Sequence, residues 1–322
     1  MRSYPVRGGP SPLGTLRVLA LAVLLSGCGA GSPGGLDPVA LRSAASLDAG
    51  GAACRVADAG RPLPREAHES SGLAQSRRTQ SLFWTHNDAG NEPVLLAVDA
   101  RGTLAGRVRV DGAAMEDWED LSAAPCGGAD CLYIGDIGDN DGARGSITVY
   151  RIEEPAPDAE TSAPATAMRG RYEGGARDAE ALFVLGSRVH VVTKGRTGPI
   201  ELYRFPSAGD GRAIVTLERV RELMPAPRSS ADRVTAAAAS PDGRWVAVRT
   251  YRTLYLYRAD SLTSGSGAKA EAITMDLRPL KEAKGEGVAL ANDGTVWLSS
   301  EAAKKAPPRW ARLACSLPAS ES

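Results

Sequence analysis

EDWEDL, from Glu116 to Leu121, is an acidic run that leads into a small apolar segment, and the chain opens the same way at four other places. These read HESSGL from His68, RDAEAL from Arg177, RVTAAAASPDG from Arg233 and GEGVAL from Gly285. Aligned on Glu69, Glu119, Glu180, Thr235 and Glu286, the openings are spaced by 50, 61, 55 and 51 residues, by subtraction of those numbers. A period of about fifty residues with strand-like content and no helical periodicity predicts an all-β fold, a five-bladed β-propeller. The alternative, a six-bladed ring with one blade hidden between Glu119 and Glu180, leaves too few residues per strand.

Each copy divides into four short strands. The outermost strand of the third copy is expected over Ala213–Val220. The fifth copy has room for only three strands before it ends at Cys315, so Cys54–Ala57 is expected to supply the missing outer strand. Such a closure removes exposed sheet edges. It sets Cys54 opposite Cys315, at the separation that a disulfide needs. Cys126 and Cys131 flank the turn sequence GGAD and can close a local loop, which leaves no thiol for nucleophilic catalysis.

The chain has 322 residues with 38 basic and 38 acidic side chains, a balance that argues against a nucleic-acid partner. Arg2, Arg7 and Arg17 precede a short apolar core, Val18–Leu25, which is too short to span a bilayer. It runs into Leu25-Ser26-Gly27-Cys28, which resembles the bacterial lipoprotein signal. That resemblance implies that Cys28 is the first mature residue and carries lipid, palmitate included. Residues 1–27 are then a signal peptide, 28–51 a Gly/Ala/Ser/Pro-rich tether, and 52–318 a propeller domain. The expected location is the bacterial cell envelope, outside the cytoplasm, and the outer membrane where the cell has one. The partners expected are the membrane, through Cys28, and a polar small molecule or an envelope protein, with the protein itself a monomer.

In a propeller blade the start of the innermost strand and the end of the second lie on one face. That rule sends ionisable groups from every copy to one mouth of the channel. Hard oxygen donors there suit Ca²⁺, so Glu69, Glu119, Asp136, Asp139 and Glu180 are the candidate metal ligands. Trp118, Lys194, Arg249, Tyr251, Glu286 and Glu301 are candidates for contacting a polar ligand. GDIGDND is not an EF-hand loop, because the first ligand position of that pattern falls on Ile137. His86 beside Asp88 is the best candidate for a general base, and no nucleophile elbow, Walker A loop or HExxH is present.

The combination DWEDL, YIGDIGDN, WTHNDAGN, DAEAL, SPDGRWVAVRTY and GEGVAL, over residues 66–301, resembles exported bacterial propellers without an assigned activity. More distantly, the strand openings are similar to propellers of the phytase-like esterase and gluconolactonase types. There, the resemblance implies, acids at the openings hold a divalent cation. This chain departs from that pattern at Thr235-Ala236-Ala237-Ala238, which offers no acid, so a one-sided site is expected. The leading expectation is a lipid-anchored propeller that binds calcium and a polar ligand. The alternatives are a metal-dependent hydrolase of a phosphoester or lactone, and a glycoside hydrolase using paired carboxylates.

Overall fold

A computed structural model describes residues 54–206, 213–265, 269–304 and 306–318. Cys28 and the segments read as signal and tether lie outside the described residues. The regular structure of the described chain is almost all strand. Strand β1 (Cys54–Pro62) precedes the first blade, which is β2 (Ser70–Gln75), β3 (Leu82–Asn87), β4 (Val94–Asp99) and β5 (Leu104–Arg109). The second blade is β6 (Trp118–Cys126), β7 (Ala129–Asp136), β8 (Ile147–Glu153) and β9 (Thr166–Arg171). The third holds β10 (Ala179–Leu185), β11 (Arg188–Thr193) and β12 (Ile200–Arg204); after β13 (Ile214–Thr216) comes its outer strand, β14 (Glu218–Met224). The fourth is β15 (Val234–Ala239), β16 (Trp245–Thr250), β17 (Thr253–Arg258) and β18 (Ala272–Asp276), with a short helix α1 (Ala259–Thr263) before the last. The fifth is β19 (Gly285–Leu290), β20 (Thr295–Ser300) and β21 (Arg309–Cys315).

There are five sheets and therefore five blades. Their innermost strands β2, β6, β10, β15 and β19 touch in sequence, and β19 returns to β2, closing the ring. The fifth sheet runs β1-β21-β20-β19, so the N-terminal strand completes the last blade. Cys54 pairs with Cys315 across β1 and β21 and is disulfide-bonded to it, and Cys126 is bonded to Cys131. Strand β1 runs five residues past the expected Ala57.

One strand differs from expectation. The segment expected as a single strand over Ala213–Val220 divides at Leu217. Ile214–Thr216 leaves its own blade to lie parallel to β9 of the second, and Glu218–Met224 forms the outer edge of the third. The division has a packing reason. Leu217 is buried in the seam with Phe205 and Met168, so the chain crosses between blades at the apolar residue that plugs their contact.

Every inner strand carries a bulge where it meets its second strand. The register skips between Ser70 and Leu73, Trp118 and Asp120, Ala179 and Ala181, Val234 and Ala236, and Gly285 and Val288. A bulge bends the strand and re-aims a side chain. The skipped side chains are Ser71, Glu119, Glu180, Thr235 and Glu286. Glu69 is thus not the first member of the series: Ser70-Ser71-Gly72 aligns with Gly285-Glu286-Gly287, each ending in a glycine. A Cβ on Gly72 would strike the backbone of Asp120 and Leu121, so the close approach of β2 to β6 requires glycine there. The two bulge hydroxyls link neighbouring blades. Ser71 Oγ donates to the Glu119 carbonyl at 2.6 Å, and Thr235 Oγ1 to the Glu286 carbonyl at 3.1 Å.

Candidate metal centre

Three of the five bulge positions carry acids, and the loops around them add more. Two lysines answer part of this charge. Lys284 pairs with Glu286 at 3.0 Å and Glu301 at 2.6 Å, and Lys194 pairs with Glu180. Burial by itself would lower Lys194, but Glu180 more than reverses this and holds it protonated. Burial raises Glu180 to about 8 even with Lys194 against it. Tyr251 lies close enough to this group for Glu286 and Glu180 to add to the rise that burial gives its phenol.

The lysine pairs leave Asp88, Asp117, Glu119 and Asp178 without a cationic partner within ion-pair distance among the described residues. One carboxylate oxygen from each of Asp88, Asp117 and Glu119 lies within 4.8 Å of the other two. Glu119 is 4 % exposed, and no group among the described residues donates a hydrogen bond to its carboxylate. Burial, then the charges of Glu180, Asp88 and Asp117, pushes its carboxyl well above the usual range. Burial, then Asp88 and Asp178, raises Asp117 to about 6. Asp178 is buried too; its Oδ1 accepts the Asp139 amide at 3.0 Å, and its Oδ2 has no partner. Gly138 packs against the pair, where a Cβ would strike both the Glu119 and Asp117 carboxylates.

This donor set fits a hard divalent ion. Oxygen ligands at roughly 2.3–2.6 Å from Ca²⁺ lie within about 5 Å of one another, and a bound cation would offset the repulsion among these acids. Of the ligands expected from sequence, Glu119 is in the cluster and Glu180 is beside it, committed to Lys194. Asp136 lies elsewhere in function: its oxygens accept the amides of Glu116 and Asp117 at 3.2 and 3.1 Å, and Arg144 pairs with it at 2.9 Å. Asp139 closes its own loop by accepting the amides of Ala143 and Arg144 at 2.8 and 3.0 Å. Glu69 is held by Asn91 Nδ2 at 2.7 Å and lies 3.7 Å from His68 Nε2.

Three further candidates are removed from the mouth. Trp118 is fully buried, its indole donating to the Ala114 carbonyl at 2.8 Å, so it packs the seam between the first two blades instead of stacking on a ligand. Arg249 is fully buried; it donates to the carbonyls of Gly287 and Ser299 at 2.9 and 3.1 Å and pairs with Glu282 at 2.7 Å. His86 lies edge-on to Trp118 at 5.5 Å, fully buried, with burial holding its imidazole neutral. Its Nδ1 faces the Asn87 carbonyl at 2.9 Å and it makes no hydrogen bond to Asp88, so it is not placed to act as a base.

Two members of the cluster have a different place in the sequence. Asp88 is expected beside His86 and Asp117 among the acids of the second opening, and neither is among the expected metal ligands. A further acid, Asp120, plays a different part. It is fully buried, and its Oδ2 accepts the amides of Leu182 at 2.8 Å and Ala237 at 2.9 Å, on the inner strands of the third and fourth blades. Its carboxylate therefore reaches across the axis below the acidic mouth.

No protein-family model matches this chain, and no curated protein sequence matches it. Solved structures do. One is a gluconolactonase, XC5397 from Xanthomonas campestris, at 13 % identity and a TM-score of 0.45, covering 80 % of this chain and 89 % of that one. Another is a calcium-binding protein, regucalcin, from Agrobacterium tumefaciens, at 15 % identity and a TM-score of 0.40, covering 77 % of this chain and 71 % of that one. The five-bladed architecture rests on the sheet topology and not on these likenesses.

Proposed function

We propose that this protein is an extracytoplasmic, lipid-anchored propeller whose acidic mouth binds a divalent cation, calcium by the chemistry of its donors, and presents it to a polar ligand. Asp88, Asp117 and Glu119 hold the ion, with Asp178 nearby. The observation that carries the reading is Glu119: a buried carboxylate with no hydrogen bond from the described protein, aimed at two other carboxylates. Lys194 and Tyr251, at the same mouth, would meet the ligand's polar groups. The lipid anchor at Cys28 rests on the lipoprotein-like signal alone. Asp117 favours a second reading, hydrolysis of a lactone or phosphoester. A bound cation would polarise the substrate's carbonyl or phosphoryl oxygen, and the Asp117 carboxylate at its side could accept a proton from the attacking water.

A ligand that binds only the folded state raises its melting temperature. Millimolar calcium should therefore raise that of the wild type, and chelator should reverse the shift. Glu119→Gln and Asp117→Asn should fold and lose the response. Asp136→Asn should lower the melting temperature with and without calcium alike. A wild-type melting temperature indifferent to calcium, magnesium and chelator would sink the proposal. Steady-state assays with a lactone and an aryl phosphate, with and without calcium, decide whether hydrolysis accompanies binding.

A further inference from the structure

The inner strands have a second set of ends. Their C-terminal portions in β2, β6, β15 and β19 enclose a cavity of about 600 Å³ at the opposite end of the axis from the acids. Successive residues of β6 serve different levels of the ring: Glu119 faces the acidic mouth, Asp120 bridges the axis, and Leu121 lines the lower cavity. With Asp120 tied to the third and fourth blades between them, the two mouths are separate sites.

The lower cavity differs from the upper in chemistry. Leu73, Leu121, Ala238 and Leu290 form an apolar throat, and the short alanine side chains leave the space open. On the fifth blade its wall is Trp297, with the Arg312 guanidinium 5.4 Å from the ring centroid. Among the described residues Arg312 has no ion pair and no side-chain hydrogen bond. The carboxylate across from it, Asp58, is paired with Arg61 at 2.7 Å and meets Arg312 only through longer-range attraction. The other arginine at the rim, Arg77, is matched by Asp130 at 2.7 Å. Asp293 is also at the rim, its Oδ1 accepting the Thr295 amide at 2.9 Å.

A cavity of this size, apolar in its throat and polar at its rim, with an arginine that makes no ion pair beside an aromatic wall, is built like a small-molecule site. We propose that it is a second ligand site, for a small anion with a flat apolar body, such as an aromatic carboxylate. The body fills the throat against Trp297, and the anionic group takes a two-pronged hydrogen bond from Arg312.

The probe is anilinonaphthalene sulfonate, a flat apolar body with one anionic group, titrated into the full-length folded protein. Saturable binding to one site is expected. Naphthoate should displace the dye, and the neutral naphthamide should do so at least about tenfold less well, as the loss of a charge-assisted contact requires. Arg312→Gln should weaken the dye by a similar factor, and Ala239→Phe should abolish binding by filling the throat, both at wild-type melting temperature. If either variant does not fold, the other and the naphthoate–naphthamide comparison still decide. Non-saturable binding, equal competition by naphthamide, or wild-type affinity in the folded variants overturns the proposal.

Discussion

Glu119 points into the mouth because the strand that carries it is one residue too long for its partner. The register skips from Trp118 to Asp120, and the extra side chain turns inward. Its neighbours are turned elsewhere, Trp118 into the seam and Asp120 across the axis. Three adjacent residues of one acidic motif thus do three different jobs. Another buried polar residue, His190, makes a pH-dependent contribution. It is stacked on Phe183 with 4.7 Å between centroids, and its Nδ1–H donates to the Arg188 carbonyl at 3.1 Å. Burial, aided by the charges of Arg204 and Arg188, lowers its imidazole to about 4. Below its ordinary value of 6.5 the unfolded chain takes up a proton that the folded chain refuses. The contribution is therefore complete above about pH 6.5 and is lost as the pH falls towards about 4, by up to about 3 kcal/mol. The mouth acids, raised by burial, slope the other way, so the test compares variants. His190→Gln should flatten the fall in unfolding free energy between pH 6.5 and 4 relative to wild type, as measured by urea denaturation. Parallel curves would refute it.

At the level of elements, ring closure depends on β1. This strand hides the edge of β21 and brings the two ends of the folded region together, with a disulfide at the first residue of one strand and the last of the other. The loop it closes is long, so most of its effect lies in restricting the unfolded chain. Cys54→Ser should cost about 2–5 kcal/mol. Hydrogen exchange should speed up in β1 and β21 more than in β10. Peptide mapping without reductant should join Cys54 to Cys315 and Cys126 to Cys131. A peptide linking Cys54 to Cys126, or a variant as stable as wild type, would contradict this closure. The hairpins between inner and second strands show how local sequence sets register. Asp242-Gly243 and Asp293-Gly294 turn with glycine φ of 69° and 82°, values that few other residues adopt. At Gly294 a side chain would also strike the Cys315 carbonyl, at the end of β21.

For the whole molecule, the balanced net charge conceals an asymmetric arrangement, with acids crowded at one end of the axis and a cavity with an apolar throat and a polar rim at the other. Cys28→Ala should abolish lipid attachment and leave the protein secreted or uncleaved. Labelling with a palmitate analogue and membrane fractionation check this. A variant that still labels and sediments with membranes would refute the anchor.

The blade number, the strand order within blades, both disulfides and the closing strand were legible in the chain, because each follows from local signals: a fifty-residue period, glycine turns and cysteine parity. That the polar openings converge was legible too, since strand direction alone requires it. Which acids meet was not. GDIGDND supplies two of the expected ligands, yet Asp136 and Asp139 are consumed by amides and Arg144 that arrive only once the loop has folded. Glu69 looks like the counterpart of Glu119, but the bulge falls two residues further on and puts Ser71 in that role. Side-chain aim in a strand alternates with every residue, so a single bulge reverses it, and where the bulge falls is decided by how five inner strands fit around one axis.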